Sequence, residues 1–154
     1  MNEALDRLAR VLEKAPARLV DIAEEDAARR PGVDVWSAKE VIGHLIDSAS
    51  HNHHRFVRAM ASPRVEMPSY DQRQWVESQG YAAARWADLV NLWLLYNRHL
   101  LHLLRGMSAG QRTHVCVIGD FAPLTVEELA RDYVEHLESH LSQVFERGRA
   151  ASGR

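Results

Sequence analysis

Two segments of this chain open with the same punctuation. Ser37 and Glu40 form an S-x-x-E box flanked by Trp36 and Val41, and Thr125 and Glu128 form a T-x-x-E box flanked by Leu124 and Leu129. In such a box the hydroxyl accepts from a backbone N–H three residues on, while the acid reaches back to the N–H of the cap; the flanking apolar pair fixes the entry angle. The boxes predict helix starts at Ser37 and Thr125. Behind them apolar residues recur every three or four positions, at Val41, Leu45, Ala49 and Phe56, and again at Leu129, Tyr133, Leu137 and Val144. A chain written in this period has to bury helical stripes against one another.

The same period marks two more segments. "NEALDRLARVLEKAPARLVDIAEEDAARR", from Asn2, carries Leu5, Leu8, Val11, Leu12, Leu19 and Ile22, with Pro16 expected to kink or restart it. A third helix is predicted from about Tyr81 to Arg105, its stripe formed by Trp86, Leu89, Val90, Trp93, Tyr96, Asn97, Leu100, Leu101 and Leu104, with Gly106 as its stop. The second helix should end near Met60, and "ASPRVEMPSYDQRQW" then reads as a connecting loop with a short turn around Asp71–Trp75. "THVCVIG" is strand-like, but it is too short and solitary for a sheet and is assigned to a loop. The expectation is an all-α four-helix bundle of antiparallel type, one domain over residues 1–148, with a flexible polar tail at 149–154.

A chain of 154 residues can bury such a core without disulfides. The net charge of −2 provides no electrostatic footprint for nucleic acid or an anionic membrane. No apolar run approaches the roughly 18 residues of a membrane span, and the charged start "MNEALDRLARVLEK" lacks the apolar middle of a secretory signal. The lone Cys116 suits a reducing compartment and is read as structural, since only His114 nearby offers it an activating environment. These features predict a cytoplasmic protein that acts on a small molecule.

The unusual residue is histidine, nine in all. His136 and His140 are four apart on the last helix, so about 40° separates them around its axis and both imidazoles can reach one point beside the Leu129 stripe. They are either two core histidines, each hydrogen-bonded to a neighbour, or two ligands of a metal site. A catalytic site needs a third protein ligand, and His44, at the edge of the Val41 stripe, is the best placed. His51 returns to nearly the same angle but lies about 10 Å further along the helix, too far to share one ion with His44, and is read as a pocket-rim residue. His53 faces the apolar side and His54 faces away. His99 and His102 sit opposite the Trp93 stripe, on a solvated or subunit-contact face, and His114 is left open.

The segments "WSAKEVIGHL" and "HLESHLSQ", with the pair Tyr70 and Asp71 in the loop between them, resemble the DinB-like (YfiT-type) family of four-helix-bundle metalloproteins, related to mycothiol- and bacillithiol-dependent enzymes. The likeness covers nearly the whole chain. It implies an unusual helix order with a long crossover connection, and frequent homodimers. It also implies a divalent ion, zinc or nickel, on the residues at positions 44, 136 and 140. Three neutral imidazoles leave such an ion an open position for water or thiolate, so the expected activity is hydrolysis or S-transfer with a low-molecular-weight thiol. The alternative is a non-catalytic bundle in which the metal is structural or adventitious and the protein dimerises or binds a partner. Asp47, Glu135 or Asp132 is expected to orient the imidazoles. Asp71 is a candidate base or substrate contact, with helix capping as its other role. Tyr70 and His51 are pocket candidates, and Trp75, Trp86 and Trp93 are assigned to the core.

Overall fold

The computed structural model describes residues 1–152, with side chains through Arg147. Four long helices, α1 (Asn2–Val20), α3 (Ala38–Ala61), α5 (Trp86–Arg105) and α7 (Val126–Ser152), form a four-helix bundle. Their buried faces are the stripes read from the sequence: Leu8, Leu12 and Leu19 from α1, Val41, Leu45 and Phe56 from α3, Trp93, Leu100 and Leu104 from α5, and Leu129, Leu137 and Val144 from α7. Each such side chain contributes about 1.5–3 kcal/mol when fully removed from water. Trp86 and Trp93 belong to this core, whereas Trp75 is half-buried.

The predicted start of α3 is present in full. Ser37 Oγ accepts from the Glu40 N–H at 3.3 Å and Glu40 returns a carboxylate oxygen to the Ser37 N–H at 2.8 Å. Burial of this box holds it more firmly than a surface cap, because the Glu40 carboxylate also pairs with Arg30. Thr125 and Glu128 make the same exchange at 3.2 and 2.8 Å.

Hydrogen bonds at the helix ends fix the directions. Trp86 Nε1 donates to Leu19 O at 2.8 Å, which sets the start of α5 against the end of α1. Arg147 Nη1 donates to Trp36 O at 2.6 Å, which sets the end of α7 against the start of α3. These two pairs are antiparallel, as expected. Gln111, just after α5, donates to Met60 O at 3.1 Å, near the end of α3, so α3 and α5 run in the same direction. The Met1 ammonium pairs with Glu127, so α1 and α7 also run in parallel. The simple antiparallel order is thereby replaced by the one the family resemblance implies: α3 to α5 is a long crossover. Each of α1 and α3 packs against both α5 and α7, leaving α1 and α3 across the bundle from each other.

That crossover is more ordered than a loop with one short turn around Asp71–Trp75. Arg64–Met67 forms β1, Gln72–Gln79 forms α4, and a 3-10 turn covers Tyr81–Ala83, so α5 begins at Trp86 rather than Tyr81. Val115–Ile118 is a strand, β2, in parallel register with β1 (Arg64 opposite Val115) and antiparallel to β3, Leu124–Thr125. "THVCVIG" was unreadable as sheet because its main partner is remote in sequence and meets it only after the crossover. Short helices α2 (Glu24–Ala28) and α6 (Ala109–Arg112) complete the elements. Pro16 lies inside α1, which continues to Val20; the break in the first arm falls between α1 and α2. Of the expected tail, residues 149–152 carry helical backbone as the end of α7, and 153–154 lie outside the described residues. No helix among the described residues is long and apolar enough to cross a membrane.

Candidate metal centre

Because α3 and α7 are antiparallel, the early part of α3 faces the later part of α7. His44, fully buried on the first, meets His136 and His140, half-buried on the second. One ring nitrogen from each lies within 4.8 Å of the other two. The Nε2 atoms of His44 and His136 are 3.1 Å apart. The three rings also pack edge to face, with centroids 4.5 to 5.0 Å apart. Trp36 also packs against His44, with ring centroids 5.2 Å apart, so the cap flank of α3 contacts the imidazole.

Burial sets the charge state of this cluster. Desolvation, followed by the neighbouring imidazoles, lowers His44 from 6.5 to about 3. Desolvation and then His140 lower His136 to about 4. His140 is also lowered, by burial and then by the Arg147 guanidinium, with Gln143 acting the other way. All three are neutral at pH 7 and present lone pairs, which is the form a metal requires.

The donors fit a divalent ion. Two nitrogens each about 2.0–2.1 Å from one tetrahedral ion lie about 3.3 Å apart, close to the observed His44–His136 separation. The Nδ1 atoms of His44, His136 and His140 are buried without a hydrogen-bond partner among the described residues. The expected orienting carboxylates are also missing from these nitrogens. Asp47 is buried, but its Oδ1 accepts from Tyr81 Oη at 2.6 Å and from Gln79, and its pKa is raised by burial. Glu135 pairs with Arg7, and Asp132 is exposed.

The other candidates are spread around this centre. His51 stacks on Tyr70 at 3.7 Å and meets Trp75 edge-on at 4.3 Å, forming a small aromatic cluster between α3 and the crossover. Asp71 caps α4, accepting from the Gln74 N–H at 3.0 Å, and is exposed. His53 contacts Tyr96 Oη at 3.2 Å, His54, His99 and His102 are exposed, and His114 Nδ1 lies 2.6 Å from Ala59 O. A cleft of about 440 Å³ opens beside His136, with Ser48, Asn52, Arg55 and Tyr70 in its wall and Asp132 on it as well. Sequence reasoning missed Ser48, Asn52 and Arg55. Their signal was the spacing from His44, at 4, 8 and 11 residues, which keeps polar side chains on one face of an otherwise apolar helix.

Fold and site together define a four-helix bundle with a three-histidine group able to hold a metal ion between two facing helices. The chain belongs to the DinB superfamily, whose family model matches residues 6–144. Among solved structures it is similar to YfiT from Bacillus subtilis, described as a probable metal-dependent hydrolase with an unusual four-helix bundle topology (TM-score 0.81, 23% identity, 99% of this chain and 90% of that one). It is similar to a single-residue mutant of the mycothiol-dependent maleylpyruvate isomerase (TM-score 0.77, 12% identity, 93% of this chain and 60% of that one). A third neighbour is a DinB-like protein from Bacillus subtilis, YjoA (TM-score 0.65, 15% identity, 99% and 94% covered). Among curated proteins no similar sequence is found.

Proposed function

We propose that this protein is a metal-dependent enzyme in which His44, His136 and His140 hold one divalent ion, zinc or nickel, and the cleft beside His136 admits a small-molecule substrate. The observation that carries this reading is the convergence of three neutral imidazoles, one buried and two half-buried, with one ring nitrogen of each within 4.8 Å of the other two. When bound, the ion supplies a Lewis acid with a vacant position and brings a water or thiol to its nucleophilic form near neutral pH.

The chain's own residues do the rest. Trp36 and the α3–α7 packing exclude water from His44. Of the three rings His136 lines the cleft, together with Tyr70 and the polar face of α3. The description of YfiT supports hydrolysis, and that of the isomerase supports use of a low-molecular-weight thiol; S-transfer and hydrolysis are therefore the two reaction classes to assay. The exposed α5 face with Leu92, Leu95, His99 and His102 supports a homodimer.

The test is turnover before and after chelation and metal restoration, on activated esters and amides, and on small thiols with an electrophile. Activity in one class should vanish with the metal and return with zinc or nickel. Loss of folding on chelation, with no activity in either class, would favour a structural metal instead.

A further inference from the structure

Arg55 lies on the cleft wall with more than nine-tenths of its surface buried. Among the described residues its guanidinium makes one hydrogen bond, from Nη1 to Asn52 Oδ1 at 3.3 Å, and its Nε is buried with no acceptor. Among the described residues no carboxylate lies within ion-pair distance of it. Arginine cannot shed its charge, and a charged group withdrawn from water is ordinarily paired. The groups nearest to it supply no negative charge. Asn52 is neutral, Tyr70 is pushed up to about 12 by burial, and burial also raises the Cys116 thiol. A fixed cation without a counter-ion therefore faces a cleft that also exposes a metal-site histidine.

We propose that Arg55 is a specificity-determining residue that receives a carboxylate of the substrate, so that the enzyme acts on small monoanionic carboxylic acids. Ser48, Asn52 and Arg55 continue the His44 face along α3, and the helix rise places the Cα atoms of His44 and Arg55 about 16 Å apart. The acid group is thus anchored at one end of the cleft and the reacting group reaches the histidine end. Ile118 and Leu129 give the space between an apolar lining. A guanidinium fork matches planar carboxylate and also phosphate. Two features favour the carboxylate: Arg55 is the single cation of the wall, and the Asp132 carboxylate on the same cleft, beyond ion-pair distance of it, opposes a dianion more than a monoanion.

This inference deepens the enzymatic reading and rests on it for the word substrate, yet its test needs no metal. Metal-free protein is titrated by calorimetry with 3-phenylpropionate, its neutral amide and inorganic phosphate. Wild type should bind the acid at least tenfold more tightly than the amide, Arg55→Gln should abolish that preference, and Arg55→Lys should retain part of it. Equal affinity for acid and amide, a preference that survives Arg55→Gln, or phosphate binding more tightly than the acid would each overturn it. Should Arg55→Gln fail to fold, the wild-type arginine Nε–H resonances decide: the acid, and not the amide, should shift one buried signal, and no shift refutes the assignment. Failure of these measurements leaves metal content and turnover untouched, so the two readings fail separately.

Discussion

Gly43 on α3 and Tyr81 on the crossover occupy mutually dependent space: the tyrosine ring lies where a side chain at position 43 would begin. The same ring sends its hydroxyl to Asp47, one helical turn further on, at 2.6 Å. The absence of a Cβ thus lets the long crossover dock on the helix that carries His44, next to that histidine in sequence.

Gly43→Ala should therefore destabilise the protein although alanine is the better helix former. Helix propensity alone predicts a gain near 1 kcal/mol; overlap with a packed ring costs about 1–3 kcal/mol and, this close, outweighs it. Urea denaturation of Gly43→Ala, Tyr81→Ala and the double variant measures this. In the Tyr81→Ala background the glycine change should become neutral or stabilising, since the ring it strikes is gone. Additive losses would show that the contact is not what makes glycine necessary.

Acid should unfold the metal-free protein through its buried imidazoles. In the unfolded chain these titrate near 6.5, whereas in the fold His44 is held at about 3 and His136 at about 4. Below pH 6.5 the unfolded state binds more protons, so this contribution is fully present above that value and lost as pH falls towards the folded values. For the fully buried His44 the loss between pH 7 and pH 5 is about 2 kcal/mol. Urea midpoints of chelated protein at pH 7, 6 and 5 should fall in step, and the fall should be smaller in His44→Phe. A wild-type profile flat over this range would contradict neutral burial of the cluster.

Much of the fold was written in consecutive residues. The Ser37–Glu40 and Thr125–Glu128 boxes and the stripes behind them are local patterns, and they position α3 and α7 without reference to the rest of the chain. The histidine spacing was legible for the same reason: His136 and His140 share a face by helical arithmetic alone. What remained hidden depends on distant partners. β1 and β2 are individually ordinary four-residue runs that become sheet only on pairing. The parallel course of α3 and α5 follows from the crossover and not from either helix. Asp47 seemed suited to orient an imidazole because it is three residues from His44, yet Tyr81 and Gln79 arrive from outside the helix and take its oxygen. Nothing local to Arg55 marks it, since its burial comes from elements distant in sequence.

The central claim is that His44, His136 and His140 chelate one ion together. Its most direct test is elemental analysis of untagged wild type and His136→Ala, purified side by side, with circular dichroism as a check on folding. The account predicts about one zinc or nickel per wild-type chain and less than about a tenth of that in the variant at unchanged helicity. Equal metal content in the two proteins, or none in wild type after incubation with either ion, would contradict it.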